Sequence, residues 1–160
     1  RIRNELQTML SQALEHDEVL TATPVYPPFL TAPVFSGRKI LPVPLALDGE
    51  RWALDLAAME RAITSKTRLL ILCNPHNPVG RVFTEAEVRA VADLCRRKGL
   101  VLCSDEIHCD LILDASRHVC AATLGPDFAA NLVVLLAPSK TYNTPGLACA
   151  SPLIDSDPKL

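Results

Sequence analysis

Three apolar runs in this sequence end in residues that can do chemistry. Arg68 to Cys73 leads into Asn74-Pro75-His76-Asn77-Pro78-Val79-Gly80. Leu100 to Cys103 leads into Ser104-Asp105-Glu106-Ile107-His108. Asn131 to Ala137 leads into Pro138-Ser139-Lys140-Thr141-Tyr142-Asn143. The exits thus supply an amide, a carboxylate with an imidazole, and a hydroxyl beside an amine. A lysine amine forms a Schiff base with an aldehyde. A carboxylate facing a pyridine nitrogen keeps that nitrogen protonated, which makes the ring an electron sink. An amide can hydrogen-bond a phenolate oxygen, and a serine can bind phosphate. Together these groups describe a pyridoxal-phosphate site.

The elements that position them can be read from pattern. Runs as hydrophobic as these suit strands covered on both faces. Val19 to Ala22 and Lys39 to Leu45 are further strand candidates, the second at a sheet edge because it holds Pro42 and Pro44. Arg1 to Asp17 has helical spacing of Ile2, Leu6, Met9, Leu10, Ala13 and Leu14. Asp55 can cap a short helix with Leu56, Met59 and Ile63 on one face. Thr84 with Glu87 makes a capping box. The stripe Val88, Val91, Ala92 and Cys95 follows it, and Gly99 suits the position just past the last turn. Strand, helix, strand predicts an α/β fold with a mostly parallel sheet covered by helices. Ligands of such sheets bind beyond the carboxyl ends of the strands, where the three exits would converge.

Composition excludes several classes. The chain has 160 residues, 49% hydrophobic and 21% charged, which rules out a disordered or collagen-like chain. A formal charge of -2 gives no electrostatic footprint for nucleic acid. The longest wholly apolar stretch, Leu132 to Ala137, is too short to span a bilayer. No apolar segment follows Arg1 to Asn4 as a secretory signal would require. The six cysteines include no Cys-x-x-Cys pair, so no metal site is expected. They read as free, mostly buried thiols in a reducing cytoplasm. The first residue is not Met, which suggests a fragment.

Four segments carry a family resemblance: Thr23-Pro24-Val25-Tyr26-Pro27-Pro28-Phe29, Asn74 to Phe83, Ser104 to Leu111, and Ala137 to Asn143. Asp105 follows Asn77 by 28 positions, and Lys140 follows Asp105 by 35. In this order and spacing they resemble fold-type I pyridoxal-phosphate enzymes of aminotransferase class I/II. The branch they resemble most is that of the MalY/PatB-type cystathionine (cysteine-S-conjugate) β-lyases. The resemblance runs from about Asp17 onward and implies part of the large domain of the aspartate-aminotransferase-like fold over residues 1–160. The C-terminal small domain of that family would then lie outside this sequence.

The resemblance assigns roles residue by residue. Lys140 matches the Schiff-base lysine, which also takes the substrate Cα proton. Asp105 matches the partner of the pyridinium nitrogen, and Asn77 the amide on the phenolic oxygen. Tyr26 matches the ring that stacks on the cofactor, and Ser139 a phosphate-binding hydroxyl. His108 stands where most aminotransferases of this fold have Tyr, and Asp-Glu-Ile-His points to the β-lyase branch. Each has a plainer alternative: a solvated lysine, a capping aspartate, an Asn-Pro turn, a loop aromatic, a turn serine or a satisfied histidine. His76 and Glu106 read as structural, and a nucleophilic Cys109 is not expected, since sequence neighbours seldom face each other. The sequence departs from the family's pattern in having no glycine before Gly37 and no arginine after Lys140, which leaves the phosphate cradle incomplete.

What this implies is a cytoplasmic, homodimeric carbon–sulfur lyase acting on an amino-acid substrate, with no nucleic-acid or membrane partner. It would cleave cystathionine or a cysteine S-conjugate by α,β-elimination to thiol, ammonia and pyruvate. A class I/II aminotransferase is the alternative on the same fold. A cofactor-sensing domain of a transcription regulator, or an inactive fragment, would be the reading of another class.

Overall fold

The computed structural model describes residues 17–144 and 151–154. In chain order it contains β1 (Glu18–Thr23), α1 (Pro28–Phe35), β2 (Lys39–Pro44), β3 (Ala46–Asp48), β4 (Arg51–Ala53) and α2 (Leu56–Ala62). Then come β5 (Thr67–Cys73), α3 (Glu85–Lys98), β6 (Val101–Asp105), β7 (Leu132–Leu136) and β8 (Ser151–Ile154). Two short 3-10 turns, Ala121–Thr123 and Pro126–Asn131, precede β7. The helix expected over Arg1 to Asp17 lies, apart from Asp17, outside the described residues.

One sheet has the order β2-β1-β5-β6-β7-β8. Every pairing in it is parallel except β7 with β8. The carboxyl ends of β1, β2, β5, β6 and β7 therefore share one edge. The chain leaves β1 for β2 on one side, then returns to add β5 on the other. That reversal opens a crevice between the exits of β1 and β5. Strand β2 takes the edge, where a proline need not donate to a second neighbour.

Pleating sorts the strand residues onto two faces. Leu20, Leu70, Leu72, Leu102 and Val134 pack against Phe83 and against Val88, Val91, Leu94 and Cys95 of α3. Val19, Ile71, Cys73, Cys103 and Val133 form the other face, covered by Val25 and Phe29. Burying a leucine fully contributes about 1.5–3 kcal/mol, so these two layers dominate the stability of the sheet.

Helix α3 forms as its sequence requires. Thr84 Oγ1 accepts from the Glu87 N–H at 3.3 Å, and Glu87 Oε2 accepts from the Thr84 N–H at 2.7 Å. Gly99 ends the helix with φ 66°, a left-handed conformation that costs glycine nothing. Arg81 adds a double hydrogen bond to the Glu87 carboxylate, at 2.6 and 2.8 Å.

Three elements differ from the sequence expectation. Helix α1 forms where the sequence pattern suggests no element, with Phe29 and Ala32 buried and Pro33 inside it. The hairpin β3–β4 turns at Gly49. Strand β6 runs on to Asp105, so Ser104 and Asp105 belong to the strand and not to the loop after it. Among the described residues no helix is long and apolar enough to cross a membrane. Cys73, Cys95 and Cys103 are free and buried, while Cys109 and Cys120 are free but only half-buried.

Candidate active site

The exits of β1, β5, β6 and β7 carry all six candidate residues. Tyr26 lies on the β1 exit, 41% exposed, with its ring edge-on to Phe29 at 5.8 Å. Asn77 is half-buried on the β5 exit, its N–H directed at Cys73 Sγ at 3.5 Å. Asp105 ends β6 and is 3% exposed, and its Oδ1 accepts from the Ile107 N–H at 3.1 Å. His108 follows, half-buried and hydrogen-bonded to the Pro75 carbonyl. Ser139 and Lys140 lie on the turn after β7, Ser139 half-buried and Lys140 exposed. The Ser139 carbonyl accepts from the Thr144 N–H at 3.0 Å.

Two of the six, Asn77 and His108, line one cavity of about 380 Å³. Its walls also include His76, Pro78, Val82, Leu111, Leu113 and Asp114. Tyr26, Asp105, Ser139 and Lys140 are not part of that lining. Lys140 nevertheless lies within electrostatic reach of His108. Burial, and then the Lys140 ammonium, hold the His108 imidazole below its ordinary pKa. The β7–β6 register explains this proximity, because Asp105 pairs with Leu135 and both chains leave the sheet side by side.

The β1 and β5 exits are joined by His76. Its Nε2 meets the Pro24 carbonyl at 2.8 Å and its Nδ1 the Cys73 carbonyl at 3.2 Å. The loop of Tyr26 is thereby tied to the loop of Asn77. Asn74, fully buried, turns its Oδ1 to the Phe83 N–H at 2.9 Å, while its Nδ2 meets no partner among the described residues. The thiols flanking Asp105 are inert. Burial first, and the Asp105 charge second, push Cys73 up to about 12 and raise Cys103 likewise. Cys109, beside His108, is also raised, by burial and then by Asp110 and Glu106, so it is a poor nucleophile at neutral pH.

Sequence reasoning missed His118. It bonds Oε2 of the buried Glu106 through Nε2 at 2.8 Å. The one signal for such a partner was the polar pair Ser104 and Glu106, two apart, on a strand face otherwise apolar.

A parallel sheet with polar groups gathered at its carboxyl edge is the architecture of the aspartate-aminotransferase-like large domain. A family model described as aminotransferase class I and II matches residues 4–157. The chain belongs to that family. It is 38% identical to cystathionine beta-lyase PatB of Bacillus subtilis, over 92% of this chain and 40% of PatB. The structure of cystalysin from Treponema denticola, which contains pyridoxal 5'-phosphate, superposes with TM-score 0.90 at 31% identity. That match covers 99% of this chain and 40% of cystalysin. N-succinyldiaminopimelate aminotransferase of Mycobacterium tuberculosis gives TM-score 0.86 at 30% identity, over 92% of this chain and 38% of that one. The chain thus spans about 40% of the length of the relatives it matches.

The donor set suits pyridoxal phosphate. Asp105 is a buried carboxylate at the end of β6, the strand beside β5 and its Asn77 exit. Asn77 offers an amide at the adjoining exit, and Lys140 an accessible amine at the next. An acceptor for a protonated ring nitrogen, a donor for an oxyanion and a nucleophilic amine are thus at one edge.

Proposed function

We propose that the protein is a pyridoxal-phosphate-dependent carbon–sulfur lyase, releasing thiol, ammonia and pyruvate from cystathionine or a cysteine S-conjugate. The observation that carries this reading is the convergence of Asn77, Asp105, His108 and Lys140 on neighbouring exits of one parallel sheet. Residues 1–160 would form part of the cofactor-binding domain of a cytoplasmic homodimer.

When bound, the cofactor supplies an electron sink for the electron pair left on Cα as its proton departs. Lys140 would hold the cofactor through its Nζ amine. Its amine, when free, would take the substrate Cα proton, and as an ammonium it would hand a proton to the departing sulfur. Asp105 would accept from the ring N–H, and its burial would strengthen that bond. Asn77 would donate to the phenolic oxygen, Tyr26 would cover the ring, and Ser139 would hydrogen-bond the phosphate. His108, held neutral, places no second positive charge beside Lys140.

The two cystathionine β-lyase-like features, the Asp-Glu-Ile-His run and the likeness to PatB, favour the lyase. The likeness to an aminotransferase keeps transamination as the second reading. Borohydride reduction of the cofactor-loaded protein should label Lys140, as read by peptide mapping. A label on Lys66, Lys98 or Lys159 would overturn the site. Pyruvate release from cystathionine without an added 2-oxo acid is the expected reaction; activity only with a 2-oxo acid would move the assignment to aminotransferase.

A further inference from the structure

We propose that Glu106 and His118 form a positioning pair that closes the base of the 107–117 loop and so holds His108 and one cavity wall in place. The consequence for the cofactor rests on the function proposed above; the closure itself does not.

Asp105 and Glu106 are consecutive, and pleating turns their side chains to opposite faces. Asp105 faces Cys73 and Cys103; Glu106 turns to Ser104 and Ala121. The Glu106 side chain is wholly buried, and a buried carboxylate is costly unless donors surround it. Its Oε1 accepts from Ser104 Oγ at 2.9 Å and from the Ala121 N–H at 2.8 Å, and its Oε2 accepts from His118 Nε2 at 2.8 Å. Ser104 stands on β6, whereas His118 and Ala121 stand at the far end of the excursion. No helix or strand occurs between 106 and 118. One carboxylate therefore ties the two ends of a loop with no ladder of its own.

What that loop carries gives the closure a purpose. His108, Leu111, Leu113 and Asp114 all face the cavity, opposite the segment from Pro75 to Val82. Packing does not explain a histidine at position 118. Its Nδ1 is buried and meets no hydrogen-bond partner among the described residues. An aliphatic side chain would fill the space without an orphaned nitrogen, so the imidazole is present for the bond that Nε2 makes. Neither residue of the pair lines the cavity, so the role is positioning and not catalytic.

The test uses the protein loaded with pyridoxal phosphate, comparing His118→Leu, His118→Gln and Glu106→Gln with wild type. Amide hydrogen exchange over 107–117 should rise about tenfold or more in His118→Leu, with α3 unchanged. The circular dichroism of the bound cofactor should weaken in parallel. In His118→Gln, whose amide can reach where Nε2 donates, both should return toward wild type. Glu106→Gln should loosen the same segment. Unchanged exchange in His118→Leu, a rise shared equally by α3, or no rescue by His118→Gln would overturn the pair. Wild type that takes up no cofactor would defeat the proposed function alone, and the exchange comparison would still decide the closure.

Discussion

The two ends of the sheet differ in how completely their buried polar groups are matched. At the amino end, Glu18 opens β1 and meets Lys39 Nζ at 3.2 Å, Thr67 Oγ1 at 3.3 Å, and Thr64 Oγ1. Donors from β2 and from the approach to β5 close around one carboxylate. The Thr64 hydrogen bond, against the opposing effect of burial and with help from Lys39, holds Glu18 below the usual carboxylate pKa. At the carboxyl end, Asn74 leaves an amide nitrogen unpaired, His76 sets two ring nitrogens against carbonyls, and Asp105 lies between two thiols. Groups at the first end serve folding. At the second, Asn74 and His76 keep imperfectly matched polar atoms, the usual mark of residues kept for function, although Glu106 is closed by donors as Glu18 is.

The largest expected effect tests the carboxyl end. Asp105→Asn keeps an oxygen for the Ile107 N–H and removes the charge. Under the proposed mechanism the barrier should rise by several kcal/mol, at ~1.4 kcal/mol per tenfold in rate. The thermal midpoint should move little. Steady-state turnover and a melting curve on the same preparation check both halves. Near-normal turnover would remove Asp105 from the site and dissolve the contrast between the two ends.

Glu18→Gln should give the reverse pattern: stability lost, turnover per folded molecule unchanged. Disrupting a buried, charge-assisted cluster costs about 1–3 kcal/mol. The pH dependence has a definite sign. The folded carboxyl titrates below its unfolded value of about 4.3, so its contribution is present above that pH. It is lost as pH falls through the folded pKa. Denaturant midpoints from pH 7 downward should therefore converge for wild type and Glu18→Gln in acid. Parallel curves would show that Glu18 is not what the cluster stabilises.

Legibility in the sequence followed locality. Helix α3 was readable because Thr84, Glu87 and Gly99 signal its ends within a few residues of one another. The strand exits were readable because apolar runs break sharply into polar residues. Helix α1 was not, since Pro33 lies within it and its residues form no separate polar face; Phe29, wholly buried on the sheet, fixes it from outside. The reach of β6 to Asp105 is set by pairing with Cys73 and Leu135 on two neighbours. His118 was invisible for the same reason: its partner lies twelve residues away across a loop without periodicity. The four segments of the site could be read one by one. The crevice between β1 and β5, and the His76 tie across it, exist only once the strand order is known.

The smallest expected effect concerns that tie. A neutral imidazole has one N–H, and the shorter contact, 2.8 Å to the Pro24 carbonyl, is the better place for it. The other nitrogen then faces the Cys73 carbonyl lone pair to lone pair. Protonation would satisfy both contacts, but burial opposes the charge and prevails, so the His76 pKa is lowered. An unfolded histidine titrates near 6.5. Below that pH the unfolded chain takes up a proton that the native state refuses. Stability is therefore full above about 6.5 and falls as pH drops toward the folded pKa. His76→Gln can still donate to the Pro24 carbonyl and cannot titrate, so it should flatten this slope. The effect should be smaller than that of Glu18→Gln, because the two carbonyl bonds partly offset burial. Denaturant midpoints of both proteins at pH 7.5 and 5.5 measure it. The two ends of the sheet would then respond in separate windows, the His76 end between neutrality and mild acid and the Glu18 end in stronger acid. Identical wild-type midpoints at the two pH values would show that the carbonyls, and not burial, decide the charge on His76.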